Sequence, residues 1–322
     1  DIDLLPFKDE ITRELKHLCE LRFTPEELIG IKLRNPYFSN AYMEFLRNLQ
    51  LNFDFLDIGE KDGKLSIETK ADVPLIYATW FEIHVLQIVQ EVYTRNTYPN
   101  MDYSEGNRIL DAKIKQVNEL YENGTIFTFA DFITRRRFNF ERQEYVLNRL
   151  KNEVVPGCFG GTSNMYFALK LDIKDVGTMA HEYLQVGQGL NDVSLRNFQK
   201  YMLQKWMDVY QGRLGIALTD VVGFDAFLND FGLYFARFFD GCRHDSGDPF
   251  IWGEKLIHHY ESLGISPTDK TAVFSDGVTF DLMFKLIERF KNRIQLSFGI
   301  GTNLVNDFGE LFKTLQMVMK LI

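Results

Sequence analysis

Three short apolar runs in the second half of the chain constrain its fold most strongly, because each of them ends in polar residues. They are LGIALTD (residues 214–220), KTAVFSDG (270–277) and RIQLSFGIGT (293–302), and segments with helical periodicity separate them. Short apolar runs that alternate with helices predict parallel βα units. In a parallel α/β barrel the carboxyl ends of the strands meet on one face, and that face carries the active site. The sequence therefore predicts a barrel whose mouth is lined by carboxylates and glycines.

The first half of the chain has a mainly helical pattern. Thr24 and Pro25 predict the start of a helix, since threonine is a good N-cap and proline suits the first turn. GEKDGK, within an alternating stretch, predicts a hairpin, and a long helix is expected from about Pro74. We expect an N-terminal α+β domain over residues 1–125 and an α/β barrel domain with the active site over 126–322. The sequence lacks an initial methionine and stops inside an apolar run, so we expect it to be a piece of a longer chain.

Composition excludes several classes of protein. The 322 residues include 36 basic and 45 acidic side chains, and this balance argues against a general nucleic-acid binder. The most hydrophobic window, residues 74–93, is interrupted by polar and charged side chains, so it predicts a buried helix and not a membrane span. Three cysteines without metal-ligand spacing and the lack of a signal peptide predict a cytoplasmic protein.

The segment RHDSGDP, which begins at Arg243, concentrates charge in one turn. The arginine could hold a carboxylate, while Asp245 and Asp248 could accept ribose hydroxyls or hold Mg²⁺ through water. A turn in which the aspartates only bond the backbone is the alternative. Asp220 and Asp276 follow two of the predicted strands and favour a binding site, because solvation alone does not explain several acids at one barrel mouth.

Three further stretches carry possible chemistry. In GIGTN, Gly299 and Gly301 would let backbone N–H groups approach a phosphate, and Thr302 adds a hydroxyl, although a plain tight turn is equally compatible. VGTMAHEYLQ lacks the second histidine of a zinc-protease motif. His181 is therefore either a structural histidine or a histidine near a helix N-terminus, where the helix end can stabilise a phosphoryl group. DFITRRRF (131–138) suits an anionic aromatic ligand, or is a basic surface run.

Together these stretches resemble the nicotinate phosphoribosyltransferase family. The resemblance is carried, in the family's order over roughly residues 131–304, by DFITRRRF, GGTSNMYFALK, VGTMAHEYLQ, LGIALTDVVGFDAFLNDF, RHDSGDPFIWGEKLIHHYESLGI, AVFSD and QLSFGIGTNL. It implies a type II phosphoribosyltransferase, which is an irregular α/β barrel with an N-terminal α+β domain, usually a homodimer with a shared site. The implied reaction joins nicotinate to phosphoribosyl pyrophosphate (PRPP) and gives nicotinate mononucleotide and pyrophosphate, as in NAD biosynthesis.

The resemblance also implies roles for individual residues. His181 matches the histidine that ATP phosphorylates transiently, so ATP is an expected co-substrate. Mg²⁺ is expected to bind mainly through the pyrophosphate, without direct protein ligands. The other implied catalytic residues are Asp220, Arg243 and Asp245. The implied substrate-binding residues are Phe132, which stacks on the pyridine ring, Arg135, Arg136, Thr162, Ser163, Asp276, Gly277, Gly299, Gly301 and Thr302.

The sequence departs from the family pattern at Ile133, where the family usually has glycine, and it lacks the family's short N-terminal motif with a tyrosine and a lysine. Two alternatives stay open. The first is a related enzyme that uses nicotinamide or quinolinate on the same barrel. The second is a non-catalytic barrel that binds PRPP or a nucleotide, although retention of His181 argues against it.

Overall fold

A computed structural model describes residues 2–319 of the chain. The first part consists of three short helices, a two-stranded antiparallel hairpin and two long helices. These elements are α1 (Lys8–Leu18), α2 (Pro25–Arg34), α3 (Asn40–Asn48), β1 (Leu56–Lys61), β2 (Lys64–Thr69), α4 (Leu75–Thr97) and α5 (Ser104–Glu122).

Local sequence explains where these elements begin and turn. The Thr24 hydroxyl accepts a hydrogen bond from the Glu27 N–H, and the Glu27 carboxylate accepts one from the Thr24 N–H, so the predicted N-cap of α2 is a full capping box. The hairpin turns at Asp62 and Gly63, which both have positive φ, the backbone twist that two-residue hairpins favour. α4 starts directly after Pro74, as predicted. The described helices include none long and apolar enough to cross a membrane.

The second part alternates strands and helices. Its elements are β3 (Thr128–Asp131), α6 (Phe140–Glu153), β4 (Phe159–Thr162), α7 (Met165–Leu171), α8 (His181–Val186), α9 (Phe198–Tyr210), β5 (Ile216–Leu218), α10 (Phe224–Asp230), α11 (Leu233–Phe238), β6 (Gly241–His244), α12 (Pro249–Ser262), β7 (Thr271–Phe274), α13 (Phe280–Phe290), β8 (Gln295–Ile300) and α14 (Thr302–Val305). Short 3₁₀ helices lie at Leu5–Phe7, Phe53–Phe55, Thr134–Arg136, Gly187–Gly189, Pro267–Asp269 and Gly309–Leu311.

The six strands of the second part form one parallel sheet in the order β4-β3-β8-β7-β6-β5. Between its two outer strands runs the connection from α7 to α8. Asp175 of this connection forms a parallel bridge with Thr162 of β4, and the Arg243 side chain of β6 bonds Thr178 and Met179 of the same connection. This irregular barrel agrees with the predicted fold class, and the connection delivers His181 to the carboxyl ends of the strands.

The strands expected at residues 214–220, 270–277 and 293–302 are present, but three more were not predicted: β3, β4 and β6. The sequence does not predict β6 as a strand, because it is short and contains arginine and histidine, which are common in loops. Its first residue, Gly241, must be glycine: a Cβ there would lie 1.9 Å from the Thr271 carbonyl oxygen of β7. The aromatic segment before β6 was expected to be helical throughout, and it divides into α10 and α11.

Two large apolar clusters stabilise the chain. One fills the barrel, and three apolar residues of α5 pack into it, namely Leu110, Ile114 and Val117. The other joins α1 and α4 and also contains Phe308 and Phe312 from the end of the chain. The end of the chain therefore packs on the first part of the fold. The domain boundary after residue 125 stays a prediction.

Candidate active site

The carboxyl ends of β5, β6 and β7 bring together the four residues that were predicted to be catalytic. His181 Nε2 lies 3.1 Å and 3.2 Å from the two carboxylate oxygens of Asp220, and 3.8 Å from Asp245 Oδ2. Arg243 Nη2 donates to the same Asp245 oxygen at 2.6 Å. A single cluster thus joins an imidazole, two carboxylates and a guanidinium from three separate parts of the sequence.

The Arg243 guanidinium is held from several sides. Its Nε donates to Ser275 Oγ at 2.8 Å, and its Nη1 donates to Thr178 Oγ1 and the Met179 carbonyl oxygen. Together with the bond to Asp245, these contacts use four of the five N–H groups of the side chain. Within residues 2–319, one N–H group of Nη2 is left without a partner and is available to a ligand. Ser275, which was not predicted, also donates to Asp245 Oδ1 at 2.7 Å.

Charge at the cluster is set mainly by the histidine–aspartate pair. The hydrogen bond to Asp220 raises the pKa of His181 above its ordinary value, against the opposing effect of burial. Burial acts to raise the pKa of Asp220, but the hydrogen bond and the charge of His181 lower it overall. The two shifts agree, so Asp220 is an ionised acceptor that stabilises a positive charge on His181.

Two other residues of RHDSGDP, His244 and Asp248, have structural roles, whereas the Ser246 side chain hydrogen-bonds Asp220 of the cluster. His244 is buried, its Nε2 lies 3.1 Å from the Gly247 carbonyl oxygen, and burial lowers its pKa, so it is neutral. The Asp248 carboxylate accepts hydrogen bonds from the N–H groups of Phe250 and Ile251 and caps α12. The turn interpretation is therefore right for Asp248, whereas Arg243 and Asp245 belong to the cluster.

Phe132, which follows β3, lies against Gly299 of β8. A Cβ at position 299 would approach two ring carbons of Phe132 to 2.5 Å, so glycine is required for the ring to lie there. The half-buried ring thereby lies against the end of β8. Ile133 is buried and has an ordinary helical backbone (φ −82°), so its position does not need the glycine that the family usually has.

A buried carboxylate that was not predicted, Asp131, supports this loop. It accepts hydrogen bonds from Thr162 Oγ1 and Gln143 Nε2, both at 2.8 Å, and from the Ile133 N–H. Burial raises the pKa of Asp131 overall, although these bonds lower it. Its sequence signal is the one that marked Asp220: an acid directly after an apolar run.

This network changes the interpretation of the predicted pair Thr162 and Ser163. Thr162 is completely buried, and its hydroxyl donates to Asp131 and accepts from the Asn164 N–H. Its side chain therefore faces the interior and supports Asp131, and the expected contact of Thr162 with a substrate stays a prediction. Ser163 is exposed, and its N–H donates to the Asp131 carbonyl oxygen.

The three consecutive arginines lie in three different environments. Arg135 Nη1 lies 3.7 Å from Glu82 Oε1, and the side chain is more than one third exposed. Arg136 is half-buried and donates to the Met317 carbonyl oxygen at 3.1 Å, and burial lowers its pKa. Arg137 is buried and bonds Glu91 and Gln143. Arg137 is therefore structural, and Arg135 is the most accessible of the three to a ligand.

The turns after β7 and β8 complete the mouth. Asp276 is exposed, and Gly277 has a left-handed backbone with φ +56°. After Gly301, the N–H groups of Thr302 and Asn303 form no hydrogen bond with any part of the chain that the structure describes. Free backbone N–H groups at a glycine-rich turn suit an anion such as phosphate. Within residues 2–319, no group of three or more His, Cys, Asp or Glu side chains could hold a metal ion.

Known proteins match both parts of the fold. Residues 127–322 match the model of the nicotinate phosphoribosyltransferase (NAPRTase) family, and residues 3–90 match that of the NAPRTase N-terminal domain. A nicotinate phosphoribosyltransferase of Chromobacterium violaceum is 46% identical over all of this chain and 80% of its own length, and one of Burkholderia mallei is 45% identical over all of this chain and 79% of its own length.

Solved structures agree with these relatives. The nicotinate phosphoribosyltransferase of Vibrio cholerae superimposes with a TM-score of 0.89 at 36% identity, over 96% of this chain and 73% of that one. The enzyme of the same name from Porphyromonas gingivalis gives a TM-score of 0.88 at 30% identity, over 98% of this chain and 79% of that one. The chain belongs to the nicotinate phosphoribosyltransferase family.

Proposed function

We propose that the barrel mouth joins nicotinate to PRPP and that His181 couples this reaction to ATP. The two substrates follow from membership of the family. The observation that carries the ATP coupling is the pair of contacts between His181 Nε2 and the Asp220 carboxylate, at 3.1 Å and 3.2 Å. No substrate of the transferase step itself requires such an activated histidine.

The pair selects the nitrogen that would react. An ionised carboxylate can accept hydrogen bonds but cannot donate them. In the neutral ring, Nε2 therefore carries the proton that Asp220 accepts, and Nδ1 carries the lone pair. Nδ1 attacks the γ-phosphorus of ATP, the bond from that phosphorus to the β-γ bridging oxygen breaks, and ADP leaves. Asp220 stabilises the positive charge that develops on the ring during this attack.

Residues around the cluster would align the transferase step. The ring nitrogen of nicotinate attacks C1 of the ribose, the bond from C1 to pyrophosphate breaks, and no general base is needed because the nitrogen carries no proton. The catalytic task is positioning and charge stabilisation. Phe132 would stack on the pyridine ring with Arg135 and Arg136 beside it. Arg243 and Asp245 would hold the ring carboxylate and the ribose hydroxyls.

Two anionic groups of PRPP remain to be bound. The turn at Gly299, Gly301 and Thr302 would take the 5′-phosphate through its free N–H groups. Asp276 and Gly277 lie on the neighbouring turn. Mg²⁺ bound with pyrophosphate would neutralise the charge of the leaving group. Asp220, Asp245 and Asp276 would contact the ion only through water, since no group of three such side chains within the described residues could hold it directly.

Formation of mononucleotide from PRPP and Mg²⁺ tests the proposal. The protein and a His181→Gln variant receive nicotinate or nicotinamide, with and without ATP, and His17→Gln in the exposed part of α1 is the control. We expect turnover of nicotinate that ATP stimulates in the protein and in His17→Gln but not in His181→Gln. Stimulation that persists in His181→Gln would overturn the ATP coupling, and turnover of nicotinamide instead would overturn the substrate assignment.

Two further expectations belong to the proposal. The family resemblance implies a homodimer with a shared site, and light scattering on the purified protein measures the mass of the assembly. A cytoplasmic location is likewise proposed, and cell fractionation would test it.

A further inference from the structure

A buried lysine of α5 contacts the glycine-rich turn that follows β8, although 190 positions separate it in the sequence from the residue that it contacts. Lys113 of α5 is 8% exposed. Its Nζ donates to the Asn303 carbonyl oxygen at 2.5 Å and to the Asp307 carboxylate, and it lies 4.9 Å from the centre of the Phe280 ring. Burial of an ammonium group is costly unless it is paired and hydrogen-bonded, and these contacts satisfy both conditions.

Other hydrogen bonds also hold the same turn in place. Asn303 Nδ2 donates to the Val278 carbonyl oxygen at 3.1 Å. The Asn306 side chain donates to the Arg136 carbonyl oxygen and accepts from the Phe138 N–H. Lys113 contacts the backbone of the turn one residue after Thr302, and Arg142 Nε donates to the Val305 carbonyl oxygen further along it at 3.3 Å.

The direction of this contact matters for anion binding. In a helical turn the carbonyl groups and the N–H groups point toward opposite ends. A cation that binds the Asn303 carbonyl therefore fixes the direction in which the N–H groups of Thr302 and Asn303 point, away from Lys113 and out of the turn. Those are the N–H groups that have no acceptor within the described chain.

We propose that Lys113 is a positioning residue for the 5′-phosphate of PRPP: it touches no substrate and holds the phosphate-binding turn in its binding geometry. This inference rests on the proposed role of Gly301 and Thr302. It also gives α5 a function, because this helix connects the first part of the fold to the barrel and would transmit its position to the PRPP site.

The chain offers a matched control, because a second lysine is equally buried. Lys270 is also 8% exposed and donates to two backbone carbonyl oxygens, those of Arg237 and Phe239. It lies just before β7, at the opposite end of the barrel. Replacement of either lysine by methionine keeps the length of the side chain and removes the ammonium group.

Steady-state kinetics of the complete protein in Lys113→Met and Lys270→Met test the inference. We expect both variants to unfold at a lower temperature. Only Lys113→Met should raise KM for PRPP, by roughly tenfold, which is the size of one lost hydrogen bond to a charged group. Its KM for nicotinate should stay near that of the parent. An equal rise in Lys270→Met would show a general effect of instability and overturn the inference.

Two more variants keep the test decisive. Asp307→Asn weakens the anchor of Lys113 without removing it, and should raise KM for PRPP by a smaller factor; if Lys113→Met does not fold, an unchanged KM in Asp307→Asn overturns the inference. Thr302→Asp tests the phosphate site itself, because a carboxylate beside the free N–H groups repels a phosphate. If Thr302→Asp leaves KM for PRPP unchanged, both the site and the role of Lys113 are wrong. If Thr302→Asp raises it and Lys113→Met does not, only the role of Lys113 is wrong.

Discussion

His181 Nε2 lies within hydrogen-bonding distance of both carboxylate oxygens of Asp220, although 39 residues separate the two in the chain. The histidine begins α8, and the aspartate follows β5 by two residues. This contact therefore joins the end of the connection between α7 and α8 to the segment that follows β5, an outer strand of the parallel sheet. The contact sets both the charge of the imidazole and the nitrogen that is free to react.

The first prediction concerns Asp220→Asn, which removes the negative charge and keeps the shape of the side chain. Without the ionised acceptor the ring is no longer held as one tautomer, and a wrong tautomer in a comparable triad costs about 10⁴ in rate. We expect ATP stimulation of nucleotide formation to fall by at least about tenfold. The measurement is the ratio of rates with and without ATP, and a ratio equal to that of the parent would contradict the role of the pair.

The second prediction concerns pH. The hydrogen bond to Asp220 raises the pKa of His181 above 6.5, Asp245 adds to this effect, and burial and Arg243 oppose it. A protonated ring has no lone pair to attack phosphorus, so phosphorylation requires the neutral form. ATP stimulation should therefore increase with pH through a midpoint above 6.5, and the midpoint should move down in Asp220→Asn. A midpoint below 6.5 in the parent would contradict the geometry of the pair.

The same shift has a consequence for stability. A raised pKa in the folded state means that the protonated ring stabilises the fold below pH 6.5 and that this contribution is lost as pH rises through the folded-state pKa. The effect is small, because one third of the side chain is exposed. Urea denaturation at pH 6 and pH 8 should show a smaller decrease in the free energy of unfolding for His181→Gln than for the parent.

The third prediction concerns Gly299→Ala. The added methyl group would lie 2.5 Å from two ring carbons of Phe132, so the ring must move from its place at the mouth. We expect KM for nicotinate to rise, together with a loss of about 1–3 kcal/mol of stability from overpacking. Gly59→Ala is the control, because no atom lies within 4 Å of its added Cβ. If the two variants had the same KM for nicotinate, Phe132 would not contribute to nicotinate binding.

The sequence predicted those parts of the fold and site that depend on local pattern. The capping box at Thr24, the hairpin turn and the acids after β5 and β7 are written in neighbouring residues. Local pattern did not reveal β6, because its place in the sheet depends on the close approach of Gly241 to β7. It also did not reveal Lys113 or Ser275, whose roles depend on contacts with residues distant in sequence.

The same limit applies to Thr162. The segment GGTSN identifies a turn after a strand, but strands alternate their side chains between two faces, and sequence does not decide which residue of Thr162 and Ser163 faces inward. The register of β4 decides it: Thr162 pairs with Asp131 of β3 and directs its hydroxyl to the carboxylate of that residue.

The last prediction follows from this orientation. Thr162→Val keeps the shape of the side chain and removes a donor to the buried Asp131 carboxylate, which should lower the free energy of unfolding by about 1–3 kcal/mol. Thr162→Ser keeps the hydroxyl and should retain most of the stability. Urea denaturation of both variants measures the difference. If the hydroxyl instead bound a substrate, Thr162→Val would raise the KM for that substrate and leave stability unchanged. That result would show that Thr162 does not support Asp131, and that it therefore does not help to hold the loop that carries Phe132.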